Sequence, residues 1–194
     1  MAPGGSREPF PVTEGHRMLL RLEKVFDRFS DVMGWIAGVL NLLMLFNVFY
    51  DAIMRYFFKT GSIALQEMEW HLFAMVFLFG IAYALKEDGH VRVDVLYDRF
   101  SPRWQAVVNI GGTLLLLLPL SVLIIEGSVW YVHEAFSSGE VSGDPGGLTH
   151  RWLIKLVIPA SFVFLVVSAT GFVIHNINIF RGLEEPPERR PEIL

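Results

Sequence analysis

The strongest constraint on the fold of this chain is the grouping of its apolar residues into four long stretches. These stretches cover about 32–50, 68–85, 107–125 and 152–176, and each is long enough to approach a bilayer crossing. A soluble domain would spread its apolar residues along amphipathic elements, whereas here they come in blocks. The pattern therefore predicts an all-α integral membrane protein with four transmembrane helices.

The residues outside the four stretches are predicted to form two flexible tails and one amphipathic helix. Residues 1–15 and 183–194 are rich in Pro, Gly and charge, so we expect flexible tails flanking a membrane domain at 16–182. From residue 16 onward, apolar residues recur at helical spacing while cations occupy other faces. This predicts an N-terminal amphipathic helix at the membrane interface. The alternative is a plain helical extension of the first span.

The distribution of cations predicts the orientation of the chain. From residue 16 onward, eleven Lys and Arg residues lie before the first span, between the second and third, and after the fourth. Four lie on the opposite side, and these are Arg55, Lys59, Arg151 and Lys155. Because cytoplasmic segments are enriched in cations, both termini and the 86–103 connector are expected to be cytoplasmic.

The connector between the second and third stretches carries the most specific pattern in the sequence. Eight of the eighteen residues from Lys86 to Arg103 are charged. The segment contains Gly89, His90, Arg92 and Asp94, and it ends at Ser101-Pro102. A Ser at the N-cap followed by Pro at the first helical position is a common helix start, so a new helix is predicted to begin at Pro102.

The run AYALKEDGHVRVDVLYDRFSPRW at 82–104 resembles the signature of the small, Q-type (DctQ-like) membrane subunit of TRAP (tripartite ATP-independent periplasmic) transporters. The resemblance extends to the four-span layout and to the segment PGGL…RWLIKLVIP at 145–159. It implies a multi-pass protein of the bacterial inner membrane that scaffolds a large permease subunit. It further implies a periplasmic solute-binding protein as partner, and uptake of an organic acid, typically a carboxylate, driven by a sodium or proton gradient.

Candidate contact residues lie in the first three spans as well as in the connector. Gly34 and Gly38 form a small-residue face in the first span with Asn41 near it at mid-span depth, a pattern that suits packing against another helix. At the start of the second span, a group of titratable side chains suits either proton handling and partner contact, or simple anchoring at the interface. These residues are Glu67, Glu69 and His71. Glu126 closes the third apolar stretch, where it could couple an ion or anchor the helix.

Two other classes of membrane protein compete on the residues alone. Six His residues raise a haem-binding anchor of a respiratory complex, although no two of them lie at one depth in the spans. A small four-span proton-coupled exporter would need a central carboxylate, and Glu126 lies close to a boundary. Motifs for phosphate binding, nucleophilic catalysis or metal ligation are missing, so we predict no enzyme activity, no cofactor, no metal site and no nucleic-acid partner. The partners expected are the two other subunits and membrane lipids.

The orientation can be checked with single cysteines, since the chain has no Cys of its own. A Ser138→Cys variant is expected to react with a membrane-impermeant thiol reagent added to intact cells, because the connector before the fourth span should be periplasmic. A Ser101→Cys variant should react only after the cells are opened. The reverse pattern of labelling would contradict the orientation.

Overall fold

The computed structural model describes residues 14–87, 97 and 100–182, with side chains from residue 18 onward. All the regular elements in this part of the chain are helical. They are α1 (Glu14–Phe57), α2 (Ile63–Lys86), α3 (Pro102–Gly112), a π-helical turn (Thr113–Leu117), α4 (Leu118–Ser137) and α5 (Trp152–Phe180). Four helical stretches, of which Pro102–Ser137 is one, are long and apolar enough to cross a membrane. Each predicted span lies within one of them, so the prediction of an all-α, four-span fold is confirmed.

Successive membrane-spanning stretches run in opposite directions, which gives the bundle two distinct ends. Lys86 at the end of α2 pairs with Asp31 in the first half of α1. Farther along α1, Asn47 Nδ2 donates to Leu65 O at the beginning of α2, at 2.9 Å. We call the end with Asp31 and Lys86 the terminal end, because the first residues of α1 and the last of α5 lie there. The opposite end, with the 58–62 and 138–151 connectors, is the loop end.

Helix α5 lies in the middle of the bundle and contacts α1, α2, α3 and α4. Its buried positions include several small residues, namely Ser161, Ser168, Ala169 and Gly171. Small side chains let neighbouring helix backbones approach closely, which is how helices associate in lipid. Ser168 Oγ shares a 2.8 Å hydrogen bond with Ser30 Oγ of α1, and the Phe164 ring contacts both Phe29 and Phe79. The core of the protein is therefore built around α5.

The predicted interfacial helix is not a separate element. Glu14–Phe57 is one continuous helix of 44 residues, about 66 Å long at 1.5 Å per residue. Its first turns pack along α5, with Glu23 and Ser30 buried on the contacting face. A helix lying flat at the membrane surface would have to leave α5, so the alternative, an extension of the first span, is what is observed. Of the predicted tails, 1–13 and 183–194 lie outside the described residues.

The start of α3 agrees with the sequence. Ser101 is the N-cap and Pro102 is the first helical residue, as predicted. Within the third span, the hydroxyls of Thr113 and Ser121 donate to backbone carbonyls one turn earlier, Asn109 O at 2.8 Å and Leu117 O at 2.7 Å. These bonds satisfy buried hydroxyls inside a single helix, so neither residue needs a partner elsewhere in the bundle.

The contact between α1 and α5 can be tested at Gly171, where an added Cβ would lie 2.5 Å from Cβ of Phe26. A Gly171→Ala variant is expected to lose about 1–3 kcal/mol of stability, the usual effect of overpacking. The matched control is Gly127→Ala in α4, where an added Cβ meets nothing within 4 Å. Thermal unfolding in detergent would compare the two variants. Equal melting temperatures would contradict the close helix approach.

Candidate interaction sites

Glu67 joins the first turn or so of α2 to the long connector at the loop end. One carboxylate oxygen, Oε1, accepts a hydrogen bond from Ser142 Oγ. The other, Oε2, accepts from the backbone N–H of Leu148 at 2.6 Å. Gly147 lies so close that an added Cβ would be 2.8 Å from Oε2. We call Glu67, Ser142, Gly147 and Leu148 the loop clamp.

The connector that the loop clamp holds is a folded structure with its own internal bonds. Ser142 N–H donates to Leu148 O at 3.0 Å, and Gly147 N–H donates to Asp144 O at 3.0 Å. Glu140 pairs with Lys155 of α5, whose ammonium also lies 3.8 Å from the centroid of the Tyr131 ring. The Glu140 N–H also donates to Ala135 O of α4 at 3.0 Å, so the connector is bonded to α2, α4 and α5. Because its shape is fixed by bonds to three helices, it presents a defined surface at the loop end.

The other two candidates at the start of α2 differ in their position relative to Glu67. Glu69 and His71 are partly buried, and Trp70 between them is largely exposed. His71 lies one turn after Glu67 on the same face of the helix, whereas Glu69, two residues from each, points in another direction. Of the three, Glu67 is the residue whose hydrogen bonds shape the loop end.

The small-residue face of α1 divides into two parts with different surroundings. An added Cβ at Gly34 would lie 2.6 Å from the Tyr83 ring, so this glycine is needed for contact with α2. An added Cβ at Gly38 would meet nothing within 4 Å. Asn41 is also exposed, and none of the hydrogen bonds within the described residues involves it. Gly38 and Asn41 therefore lie on an uncovered part of the membrane-spanning surface.

A buried polar group joins α1 to α5 at the terminal end. The Glu23 carboxylate, almost fully buried, accepts from Asn178 Nδ2 at 2.5 Å. Its other oxygen lies 2.6 Å from His175 Nδ1. In the same turn of α5, Asn176 Oδ1 accepts from Asn109 Nδ2 of α3 at 2.7 Å. Asn109 Oδ1 in turn accepts from the Tyr97 hydroxyl at 3.2 Å. This terminal network links three helices and the end of the connector.

The remaining predicted residues lie apart from these groups. Glu126 is exposed on α4, and the helix continues for eleven residues beyond it to Ser137. The connector candidates Gly89, His90, Arg92 and Asp94 lie outside the described residues. The structure does not bring the described candidates into one shared site. Gly38 and Asn41 share the uncovered surface of α1, and Glu67 and His71 share a face of α2. The others lie apart from these two groups.

The match of residues 44–178 to a protein-family model defines the class of this four-span chain. That segment matches the family described as "Tripartite ATP-independent periplasmic transporters, DctQ component". The chain belongs to this family, so it is a small permease subunit of a TRAP transporter. Proteins of this family are components of TRAP transporters. This assignment replaces the two alternatives raised by the sequence, a haem-binding respiratory anchor and a small four-span exporter.

Three curated relatives agree with this assignment. A Haemophilus influenzae protein named as a TRAP transporter small permease is 29% identical over 143 residues, which is 72% of this chain and 84% of the relative. A second such protein from the same organism is 22% identical over 76% of this chain and 87% of its own length. The C4-dicarboxylate TRAP transporter small permease protein DctQ of Pseudomonas aeruginosa is 31% identical over 53% of this chain and 51% of its own length.

Sequence reasoning missed several residues that hold the structure together. Ser142, Gly147 and Leu148 are not among the sequence-predicted candidates, because their partner Glu67 is far away in sequence. Glu23 could have been noticed, because it falls in a line with Phe26, Ser30 and Met33 at helical spacing on the buried face. A carboxylate in such a line needs a buried partner.

The loop clamp predicts a local effect of changing Glu67. In a Glu67→Ala variant, the Leu148 amide loses a charged acceptor worth about 1.5–3 kcal/mol, so its hydrogen exchange is expected to rise about tenfold or more. Exchange measured by mass spectrometry on peptides covering 138–151 would report this. The control is Glu69→Ala, which should leave exchange there unchanged. Equal exchange in both variants would contradict the clamp.

Proposed function

We propose that this small TRAP subunit is a fixed scaffold for the large permease subunit during ion-gradient-driven uptake of an organic acid. The observation that carries the proposal is that its buried and half-buried polar side chains bond to other parts of the same chain. Glu67, Asn47, Glu23 and Asn109 each bond to another helix or to the connector of the same chain. They hold the bundle in one arrangement.

This use of polar groups differs from what a carrier requires. Secondary transporters bind substrate near the bilayer midplane with polar groups from discontinuous helices, and one part moves against another. The ties described above lie near the two ends of the bundle and cross between helices, which opposes relative movement. A subunit of this construction suits the stationary part of a transporter, and the substrate and ion sites then belong to the large subunit.

The surface for the large subunit is proposed to be the uncovered mid-span face of α1. Gly38, Asn41, Leu42, Leu45 and Phe49 recur at helical spacing, and all are exposed. Lipid tails can cover the apolar members of this face equally well, but they cannot satisfy the Asn41 amide. A helix of the large subunit could approach closely at Gly38 and offer a hydrogen-bonding group to Asn41.

The remaining assignments rest on the family and on the cation distribution. With the termini in the cytoplasm, as the eleven-to-four count favours, the loop end faces the periplasm of a bacterial inner membrane. A periplasmic solute-binding protein would then meet the connector held by the loop clamp. The name of the Pseudomonas aeruginosa relative makes a C4-dicarboxylate the first solute to test.

The proposed face of α1 is tested by Gly38→Leu, which fills the close-approach position without touching the rest of the chain. Recovery of the large subunit with the tagged small subunit from detergent is expected to fall about tenfold, since such helix contacts are worth about 1–2 kcal/mol. Uptake of a labelled C4-dicarboxylate into vesicles should fall with it. Asn41→Leu should act in the same direction.

The matched control is Gly127→Leu, at an exposed glycine of α4 that also has open space around it. This variant is expected to keep both subunit recovery and uptake. Equal losses at Gly38 and Gly127 would place the contact elsewhere. Solute uptake by vesicles that contain this chain without the large subunit would contradict the scaffold role itself.

A further inference from the structure

The outward side of the first turns of α1 carries an unusual line of cations. Arg21, Lys24 and Arg28 are all exposed, and their spacing of three and four residues aligns them along one side of the helix. Arg17 continues the same spacing in the sequence. This side lies opposite the buried line that includes Glu23 and Ser30, so it faces away from α5. We call Arg21, Lys24 and Arg28 the basic stripe.

The basic stripe is not used in the ion pairs of the described part of the chain. The cations that do pair there are Arg55 with Asp51, Lys86 with Asp31, and Arg151 and Lys155 with Glu140. Lys24 and Arg28 are four residues apart on the helix, and like charges at that spacing repel each other. An external anion would relieve this repulsion, and no described acid forms an ion pair with the stripe. Asp31, three residues after Arg28, pairs with Lys86 instead.

Beside the basic stripe runs a second line of exposed residues, and these are apolar. Met18 is 64% exposed and Val25 is 65% exposed, with Leu22 and Val32 completing the line. Apolar and basic lines side by side on one helix are typical of contact with a membrane surface, where the apolar residues reach the acyl boundary and the cations reach the headgroups.

The packing of α1 on α5 places the basic stripe at the depth of the bilayer surface. The fourth apolar stretch ends near residue 176, and His175 lies 2.6 Å from Glu23. This places the end of the fourth apolar stretch level with Glu23 on α1. The first apolar stretch begins at residue 32, next to Asp31, which pairs with Lys86 at the end of α2. The bilayer boundary therefore lies between the levels of Glu23 and Asp31, a range that includes Lys24 and Arg28 of the stripe. The hydrogen bond between Asn109 and Asn176 puts these two residues of α3 and α5 at the same level. Trp104 precedes Asn109 by five residues, so it lies nearer the terminal end, and it is 64% exposed. Exposed Trp residues concentrate at membrane–water interfaces, which agrees with this level.

We propose that the basic stripe binds the anionic headgroups of phospholipids in the leaflet at the terminal end. The helix stands upright in the bundle and still meets the headgroups, because α5 holds it where the bilayer surface passes. The contact fixes the depth of the small subunit in the membrane. It depends on the membrane position of α1, and it does not depend on the transporter role proposed above.

The test uses the full chain, purified alone and placed in nanodiscs of equal phosphatidylglycerol and phosphatidylcholine. Native mass spectrometry would count the lipids that stay bound. The wild-type chain is expected to retain phosphatidylglycerol preferentially. In the triple variant R21Q/K24Q/R28Q the preference should fall at least tenfold, since each cation near an anionic surface contributes a factor of about five. High salt should lower the wild-type preference in the same direction.

Two controls separate the charge of the stripe from other effects. The charge-retaining variant R21K/K24R/R28K should keep the preference, and so should R189Q/R190Q, which removes cations from the C-terminal segment. Thermal unfolding in neutral detergent should be similar for all variants, because the three side chains are exposed. A larger loss of stability in the glutamine variant than in the charge-retaining variant would show a structural role and overturn the proposal.

The remaining outcomes also decide the matter. An unchanged preference in R21Q/K24Q/R28Q, or an equal loss in R189Q/R190Q, would overturn the proposal. Loss of co-purification with the large subunit in detergent without any anionic lipid, and with lipid preference intact, would assign the stripe to an acidic protein surface instead. Because the lipid assay contains no other subunit, its failure would leave the scaffold function untouched.

Discussion

The structure depends on one helix, α5, whose small buried side chains let all the other helices pack against it. Helix α5 contacts the four other α-helices, and small residues such as Ser161, Ser168, Ala169 and Gly171 make room for them. In lipid the hydrophobic effect does not drive helices together, so association comes from close packing and from hydrogen bonds between helices. A bulky residue at Gly171 would separate α1 from α5, and the ties at the terminal end would separate with them.

The polar ties complement this packing at both ends of the bundle. Glu23 and Asn109 connect α1 and α3 to α5 at the terminal end, while Glu67 connects α2 to the connector at the loop end. A buried carboxylate is costly unless its oxygens accept hydrogen bonds, so the Glu23 tie favours one arrangement of α1 against α5 over its alternatives. The combination yields a bundle with a defined shape and an exterior that the chain itself leaves exposed. That exterior includes the mid-span face of α1 and the basic stripe.

The pattern of the sequence predicted the architecture because each relevant signal is local. A run of apolar residues has to span the membrane wherever its neighbours lie, and the Ser101-Pro102 start depends only on adjacent backbone. The ion pair of Asp51 with Arg55, one turn apart on α1, is of the same kind. The family signature was equally readable, since it lies in one continuous stretch of the chain.

The loop clamp and the terminal network were harder to predict, because their contacts join residues that are distant along the chain. Glu67 and Leu148 are 81 residues apart, and Glu23 and Asn178 are 155 apart. Residue types and helical spacing indicated that Glu67 deserved notice, but they did not indicate what it would bond. The separation of Gly34 from Gly38 has a related cause, because the edge of the α2 contact passes between two glycines that lie on nearly the same face.

The sequence by itself determined the number of spans, their approximate limits, the start of α3 and the family, since these follow from composition and short-range order. Only the tertiary structure decided that the first turns of α1 stand against α5, because a basic amphipathic segment is compatible with a flat or an upright helix. The choice was made by Glu23, Phe26 and Ser30, whose partners His175, Gly171 and Ser168 lie on another helix. Packing between distant segments settled what helical periodicity left open.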